Sequence, residues 1–260
     1  MGLIKINISG IDKIIKYNGK MGARMPYPLF SSFHTIANNI NFNDYDKAVI
    51  VLRHSNRPAN DASTEVELTD LGKHIVTIAG NELHNIDKKF TYCSTDTVRT
   101  KQTAFYLYKG RDNNLDDRIS TYNDVENMYE LGIYGLNYLH DRSVFDGRDY
   151  WTVWYRYVYH NEFLNYFNDL ATESDNFINS AFYHTDNGTV RVVGMHDENL
   201  MPFVSYILKD ATTGEFTINF EKVSKWINYL TGALLLKKNS DNSYIAIPIT
   251  GQPGGYMFRH

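Results

Sequence analysis

Three short stretches of this sequence concentrate cations, imidazoles and carboxyls: Leu52–Pro58 (LRHSNRP), Cys93–Thr100 (CSTDTVRT) and Gly194–Asn199 (GMHDEN). They contain Arg53, Arg57 and Arg99, His54 and His196, and Asp96 and Asp197. A guanidinium is always charged, and its fork holds two oxygens at once, which suits a phosphate dianion. A histidine set among cations is biased toward its neutral form. Neutral imidazole nitrogen can attack phosphorus, and a neighbouring carboxylic acid can protonate the departing oxygen. The set therefore suffices for covalent phosphoryl transfer with no metal and no other cofactor.

Each stretch follows a predicted strand. Lys47–Leu52 (KAVIVL) is β-rich and apolar and reads as a buried central strand, with Arg53 and His54 just past its end. Phe90–Cys93 (FTYC) reads as a second strand, and Thr189–Met195 (TVRVVGM) as a third that ends at His196 and Asp197. In open α/β sheets ligands bind outside the carboxyl ends of strands, so the three stretches are expected at one edge. Thr69 is predicted to cap a helix to about Ile86, with Leu71, Ile75, Ile78, Ala79 and Leu83 on its apolar face. Ser94 or Thr95 is predicted to cap a helix to about Tyr108. Glu198–Lys209 reads as a helix that tolerates Pro202 near its start. Gly232–Lys238 and Ser243–Thr250 flank NSDN and read as a hairpin. From about 111 to 188 the pattern turns helical and aromatic, with Trp151, Trp154, Val158, Phe163, Phe167 and Leu170 at helical spacing. The expected fold is α/β: a mixed, mainly parallel sheet flanked by helices, formed by 1–110 and 189–260, with a smaller α-helical cap insert at 111–188.

These motifs resemble the histidine phosphatase superfamily. Arg53-His54-Ser55 is similar to its RHG motif, with Ser55 in place of the usual glycine. More narrowly, the first stretch is similar to the RHGxRxP signature of branch 2, the histidine acid phosphatases and phytases, with Pro58 one place early. Leu68–Gly72 (LTDLG) matches the LTxxG of that branch, Ser94–Ala104 (STDTVRTKQTA) resembles its STDxxRTxxSA, and His196-Asp197 matches its HD pair. The resemblance implies a nucleophilic His54 that becomes a phosphohistidine. It implies that Arg53, Arg57, Arg99 and His196 bind the phosphoryl group and that Asp197 protonates the leaving alcohol. Glu198, next to Asp197, is an alternative donor. So is Glu130 in ENMYELGIYG, which faintly resembles the glutamate-and-glycine segment of the mutase-like branch 1. Ser55 adds a side chain where the backbone can need glycine, and the early Pro58 can alter the aim of Arg57.

Composition narrows the classes. With 260 residues, 43% hydrophobic and 22% charged, the chain reads as globular rather than disordered or fibrous. A net charge of -4 argues against a general nucleic-acid binder. No stretch approaches the ~20 apolar residues of a membrane span, and the first residues show no signal-peptide core. Members of the resembled branch are usually periplasmic or secreted. Cys93 is the single cysteine, so no internal disulfide forms, and its place in an apolar strand predicts a packing role. The expected activity is that of a metal-independent phosphomonoesterase acting on a small-molecule phosphate ester. Its optimum is expected to be acidic, because Asp197 must hold its proton. The rival readings are a phosphomutase, and a phosphate-ligand binding protein descended from phosphatases in which Ser55 and Pro58 mark decay. A metal-dependent phosphohydrolase with His196 and Asp197 as ligands would want that pair on a helix of an all-helical fold.

Overall fold

The run KAVIVLR becomes a strand because its side chains alternate between two apolar layers. Val49 and Val51 enter one hydrophobic cluster, while Ala48, Ile50 and Leu52 enter the other. A strand buried on both faces lacks the polar alternation of a half-exposed one, which is why it reads as a continuous apolar run.

The computed structural model describes residues 33–59, 63–112, 119–128, 131–210, 213–240 and 243–252 in full, and the backbone alone of strands at 2–8, 11–17, 23–24 and 257–258. In chain order the chain forms β1 (Gly2–Ile8), β2 (Ile11–Tyr17), β3 (Ala23–Arg24), α1 (Phe33–Asn39), β4 (Lys47–Arg53), α2 (Asp70–Glu82), β5 (Lys89–Ser94), α3 (Val98–Asp112) and β6 (Glu126–Asn127). It continues through α4 (Leu136–His140), α5 (Tyr150–His160), α6 (Leu170–Tyr183), β7 (Thr189–Met195), α7 (Asp197–Ile207), β8 (Trp226–Ile227), β9 (Gly232–Lys237), β10 (Tyr244–Ile249) and β11 (Met257–Phe258).

The main sheet has the order β3-β10-β9-β4-β7-β5-β6. β7 lies between β4 and β5, parallel to both, and β6 and β3 also pair parallel with their neighbours. β9 is antiparallel to β4 and to β10, so the expected late hairpin is present. The fold is thus α/β with a mixed, mainly parallel sheet flanked by helices. The register sets Arg53 opposite Met195 and Ser94 opposite Gly194. The carboxyl ends of β4, β7 and β5 therefore lie side by side, at one edge.

The layers explain the helices. One cluster packs α1, α2 and α3 on one face of the sheet; the other packs α5, α6 and α7 on the opposite face. Trp154, Tyr157 and Phe167 of the 111–188 segment are buried in the same cluster as Val193 and Leu235 of the sheet. Among the described residues, no helix is long and apolar enough to cross a membrane.

Two details differ from expectation. On α2 the predicted apolar face holds at Ile75, Ala79 and Leu83 but not at Leu71, 62% exposed, or Ile78, 49% exposed, while Gly72, Val76 and Gly80 are buried instead. Close approach is the reason. A Cβ at Gly80 would meet the Leu107 carbonyl oxygen at 2.1 Å, and one at Gly110 would meet that of Thr77 at 1.9 Å. Glycines, rather than large apolar residues, set the contact between α2 and α3. Second, α3 starts at Val98, so Thr97 rather than Ser94 or Thr95 immediately precedes it, and the Thr97 carbonyl accepts from Lys101 N–H at 3.1 Å. Thr69 caps α2 as expected, its hydroxyl accepting from Gly72 N–H at 3.0 Å.

Candidate active site

His54 leaves the end of β4 with its backbone N–H donating to Met195 of β7 at 2.9 Å. The ring is almost wholly buried, 1% exposed. Its Nδ1 lies 2.7 Å from the Ser55 carbonyl oxygen. A carbonyl only accepts, so Nδ1 carries the hydrogen and Nε2 keeps its lone pair. Burial first, and Arg53 next, push the imidazole well below its usual pKa against the opposite pull of Asp197. A buried, neutral imidazole with Nε2 as its basic atom is what nucleophilic attack requires.

Ser55 fits where a glycine was expected. Among the described non-glycine residues only Asn161, Phe163, Ser224 and Leu230 have positive φ, so Ser55 needs no glycine backbone. Its side chain is fully buried and turned into α2, the hydroxyl donating to the Gly72 carbonyl at 3.1 Å. The loop is clamped further by Ser55 N–H donating to the Thr103 hydroxyl at 3.0 Å and Thr69 N–H donating to the Asn56 carbonyl at 2.9 Å. Gly72 permits this clamp: a Cβ there would stand 2.4 Å from the Asn56 carbonyl oxygen. After the early Pro58, Arg57 folds back on its own loop, Nη1 donating to the Pro58 carbonyl at 2.9 Å.

Arg53 is 3% exposed and held from several sides. Nη1 donates to the Ile227 carbonyl, Nη2 meets Asp197 Oδ2 at 2.9 Å, and the guanidinium lies 4.2 Å from the Tyr229 ring centroid. Tyr229 also faces His54, with ring centroids 5.7 Å apart.

His196 and Asp197 stand where β7 gives way to α7. The His196 and His54 rings are 5.7 Å apart, edge to face. Arg99 Nη2 approaches His196 Nδ1 at 3.3 Å, and the Thr97 hydroxyl lies 3.2 Å from Nε2. Arginine only donates, so Nδ1 accepts and the hydrogen of His196 sits on Nε2. Burial first, and Arg99 next, push this ring down to about 4. Asp197 Oδ2 accepts from Arg53 and from the Trp226 indole N–H at 2.9 Å. Burial pushes the carboxyl up, but the Arg53 guanidinium first, and the Trp226 indole N–H, pull it well below the usual carboxylate range. In the free protein it is an anion.

Of the alternative donors, Glu198 accepts from Tyr134 at 2.9 Å and from Tyr150. Both tyrosines belong to the 111–188 segment, so that segment reaches the site. Glu130 lies outside the described residues. Cys93 is fully buried, its thiol donating to the Val192 carbonyl at 3.3 Å. Burial pushes it up to about 11, so it is a packing thiol rather than a thiolate. Among the described residues no three His, Cys, Asp or Glu side chains gather as metal ligands. The partners of His196 and Asp197 are instead arginines, a hydroxyl and an indole.

The structure thus brings Arg53, His54, Arg99, His196 and Asp197 together, Arg53 pairing with Asp197, Arg99 with His196, and the two imidazoles with each other. Arg57 lies near enough that its charge acts on both Arg99 and His196. Sequence reasoning missed Thr97, although it lies inside a stretch already singled out. It also missed Trp226 and Tyr229, which carry no motif and lie far along the chain from the residues they touch.

No protein-family model matches this chain, and no curated protein matches it. Several solved structures are similar. One is a phosphoglycerate mutase from Bacillus anthracis, 14% identical over 77% of this chain and 92% of that one, with a TM-score of 0.44. Another is a phosphohistidine phosphatase from Agrobacterium tumefaciens, 12% identical over 74% and 92%, with a TM-score of 0.37. A third is a mycobacterial glucosyl-3-phosphoglycerate phosphatase in complex with VO3, 14% identical over 77% and 96%, with a TM-score of 0.47. None of these three is named as an acid phosphatase or phytase.

Proposed function

We propose that this chain is a metal-independent phosphomonoesterase of the histidine phosphatase superfamily, working through a phosphohistidine at His54. The observation that most supports this reading is His54 itself: buried, neutral, with Nε2 as its lone-pair nitrogen, among Arg53, Arg57, Arg99 and His196. Arg57, Arg99 and His196 hold the phosphoryl oxygens, and Arg53 adds charge beside them. His54 Nε2 attacks phosphorus while the bond from phosphorus to the alcohol oxygen breaks. Asp197 protonates that oxygen and then, as a carboxylate, activates the water that cleaves the phosphohistidine. A bound phosphate dianion competes for Arg53 and pushes Asp197 upward, which lets it take the proton. Residues of 111–188 act as the cap, Tyr134 and Tyr150 reaching Glu198, the neighbour of Asp197. The acid phosphatase branch is the finer reading, and it rests on the RHGxRxP-like first stretch, LTDLG, STDTVRTKQTA and the HD pair.

Hydrolysis of p-nitrophenyl phosphate from pH 4 to 9, with and without EDTA, tests this. Wild type is expected to keep its activity in EDTA, and His54→Ala to lose it by at least about 10³-fold. Because His54 is already neutral and Asp197 must gain a proton, kcat/KM is expected to fall as pH rises from 5 to 8. A profile rising to pH 9, or a fully active His54→Ala, would overturn the reading.

A further inference from the structure

Asp197 is gripped asymmetrically. Arg53 and the Trp226 indole both donate to Oδ2, each at 2.9 Å. An oxygen that already accepts two strong donors is a poor place for a proton, so protonation falls to Oδ1. Trp226 is suited to this aiming role: it is fully buried, packed against Trp151 at 4.6 Å between ring centroids, and its only polar atom points at the carboxyl. The next residue gives its carbonyl to Arg53 Nη1. One short strand, β8, therefore orients both members of the Arg53–Asp197 pair.

We infer that Trp226 is a positioning residue for the general acid, holding Asp197 Oδ2 so that Oδ1 presents the proton to the leaving oxygen. The inference rests on the phosphomonoesterase reading above. In the step concerned, the bond between phosphorus and the alcohol oxygen breaks with its electron pair going to oxygen. The bond from His54 Nε2 to phosphorus forms, and the proton on Asp197 Oδ1 passes to the leaving oxygen. Protonation matters little for an acidic leaving group such as p-nitrophenol and greatly for an alkyl alcohol. A residue that acts through Asp197 must therefore show the same dependence on leaving group as Asp197 does.

The experiment compares kcat/KM for p-nitrophenyl phosphate and for glycerol 2-phosphate in wild type, Asp197→Asn, Trp226→Phe and the double variant. Asp197→Asn is expected to lose on the order of 10²–10³-fold on the alkyl ester and far less on the aryl ester. Trp226→Phe is expected to lose about tenfold more on the alkyl than on the aryl ester, and to add no such discrimination once Asp197 is Asn. Equal losses on both esters, or discrimination that persists in the double variant, would reduce Trp226 to a packing residue. Should Trp226→Phe fail to fold, 3-benzothienylalanine at 226 keeps the ring shape without the N–H and carries the same expectation. A wild type that cleaves neither ester would instead refute the function, and this proposal with it. An Asp197→Asn enzyme without leaving-group dependence would refute the acid and its positioning residue while leaving the phosphatase reading intact.

Discussion

At the scale of single residues, Ser55 changes the meaning of the first motif. A side chain at that place does not intrude on the site, because it turns away and bonds the first turn of α2. The serine belongs to the scaffold that holds the loop. Restoring glycine by Ser55→Gly removes that bond and frees the backbone, and is expected to lower unfolding free energy by about 1–2 kcal/mol. Urea unfolding measures this; an unchanged midpoint would show that the buried hydroxyl contributes nothing. The histidines illustrate a second point at this scale. Both tautomers follow from partner chemistry alone, since the Ser55 carbonyl can only accept and Arg99 can only donate. The two rings thus carry their lone pairs on different nitrogens, Nε2 in His54 and Nδ1 in His196, although the residue type is the same.

At the scale of elements, the site is a joint between β4, β7, α2, α3 and β8. β4 and β7 present His54 and His196 at one height because their register sets Arg53 beside Met195. α2 contributes no charged group to the chemistry, yet it fixes the loop that carries Arg57. Gly72 is the point of contact. Gly72→Ala would place a methyl against the Asn56 carbonyl oxygen, so helix or loop must shift. The expected result is a stability loss of about 1–3 kcal/mol and a fall in kcat/KM of between about ten- and a hundredfold. Thermal unfolding and steady-state kinetics on the same preparation check both. A variant that loses stability alone would show that the clamp does not aim Arg57. The LTDLG motif is therefore explained by packing against the active loop rather than by any reactive group of its own.

At the scale of the whole molecule, the proposed chemistry and the stability are expected to respond to acid in opposite directions. His54 and His196 are held below their ordinary values in the folded state, while in the unfolded chain they return to about 6.5. Below that pH the unfolded state binds more protons than the folded one, so their contribution is complete above about 6.5 and declines as pH falls toward the folded value. For His196 that window closes at about 4. Asp197, held low in the fold, adds a further loss where unfolded aspartate protonates, near 3.9. The melting temperature is therefore expected to fall steadily from pH 7 to pH 4, the range in which the proposed proton transfer from Asp197 would favour turnover. Scanning calorimetry across that range checks it, with a shallower slope expected for His196→Asn. A melting temperature independent of pH would show that these rings are not buried as neutral groups.

The division between sequence and structure follows distance along the chain. Local patterns determined the strands, since KAVIVL is apolar but for Lys47 and TVRVVGM but for Thr189 and Arg191. They also determined the Thr69 cap and the late hairpin, whose partners lie within a few residues. The clustering of Arg53, His54, Arg99, His196 and Asp197 was legible for the same reason: each sits in a polar stretch soon after an apolar strand. Contacts between distant segments left no such mark. Part of the buried face of α2 is chosen by the backbones it approaches, so Gly72 and Gly80 are buried while Leu71 and Ile78 are not. Trp226 meets Asp197 across 29 positions of sequence, and only the pairing of strands and the packing of α7 bring the indole to the carboxyl. Residue types and their order after the strands state what chemistry is available. Which oxygen accepts, which nitrogen keeps its lone pair and which residues aim them depend on neighbours that only the folded chain supplies.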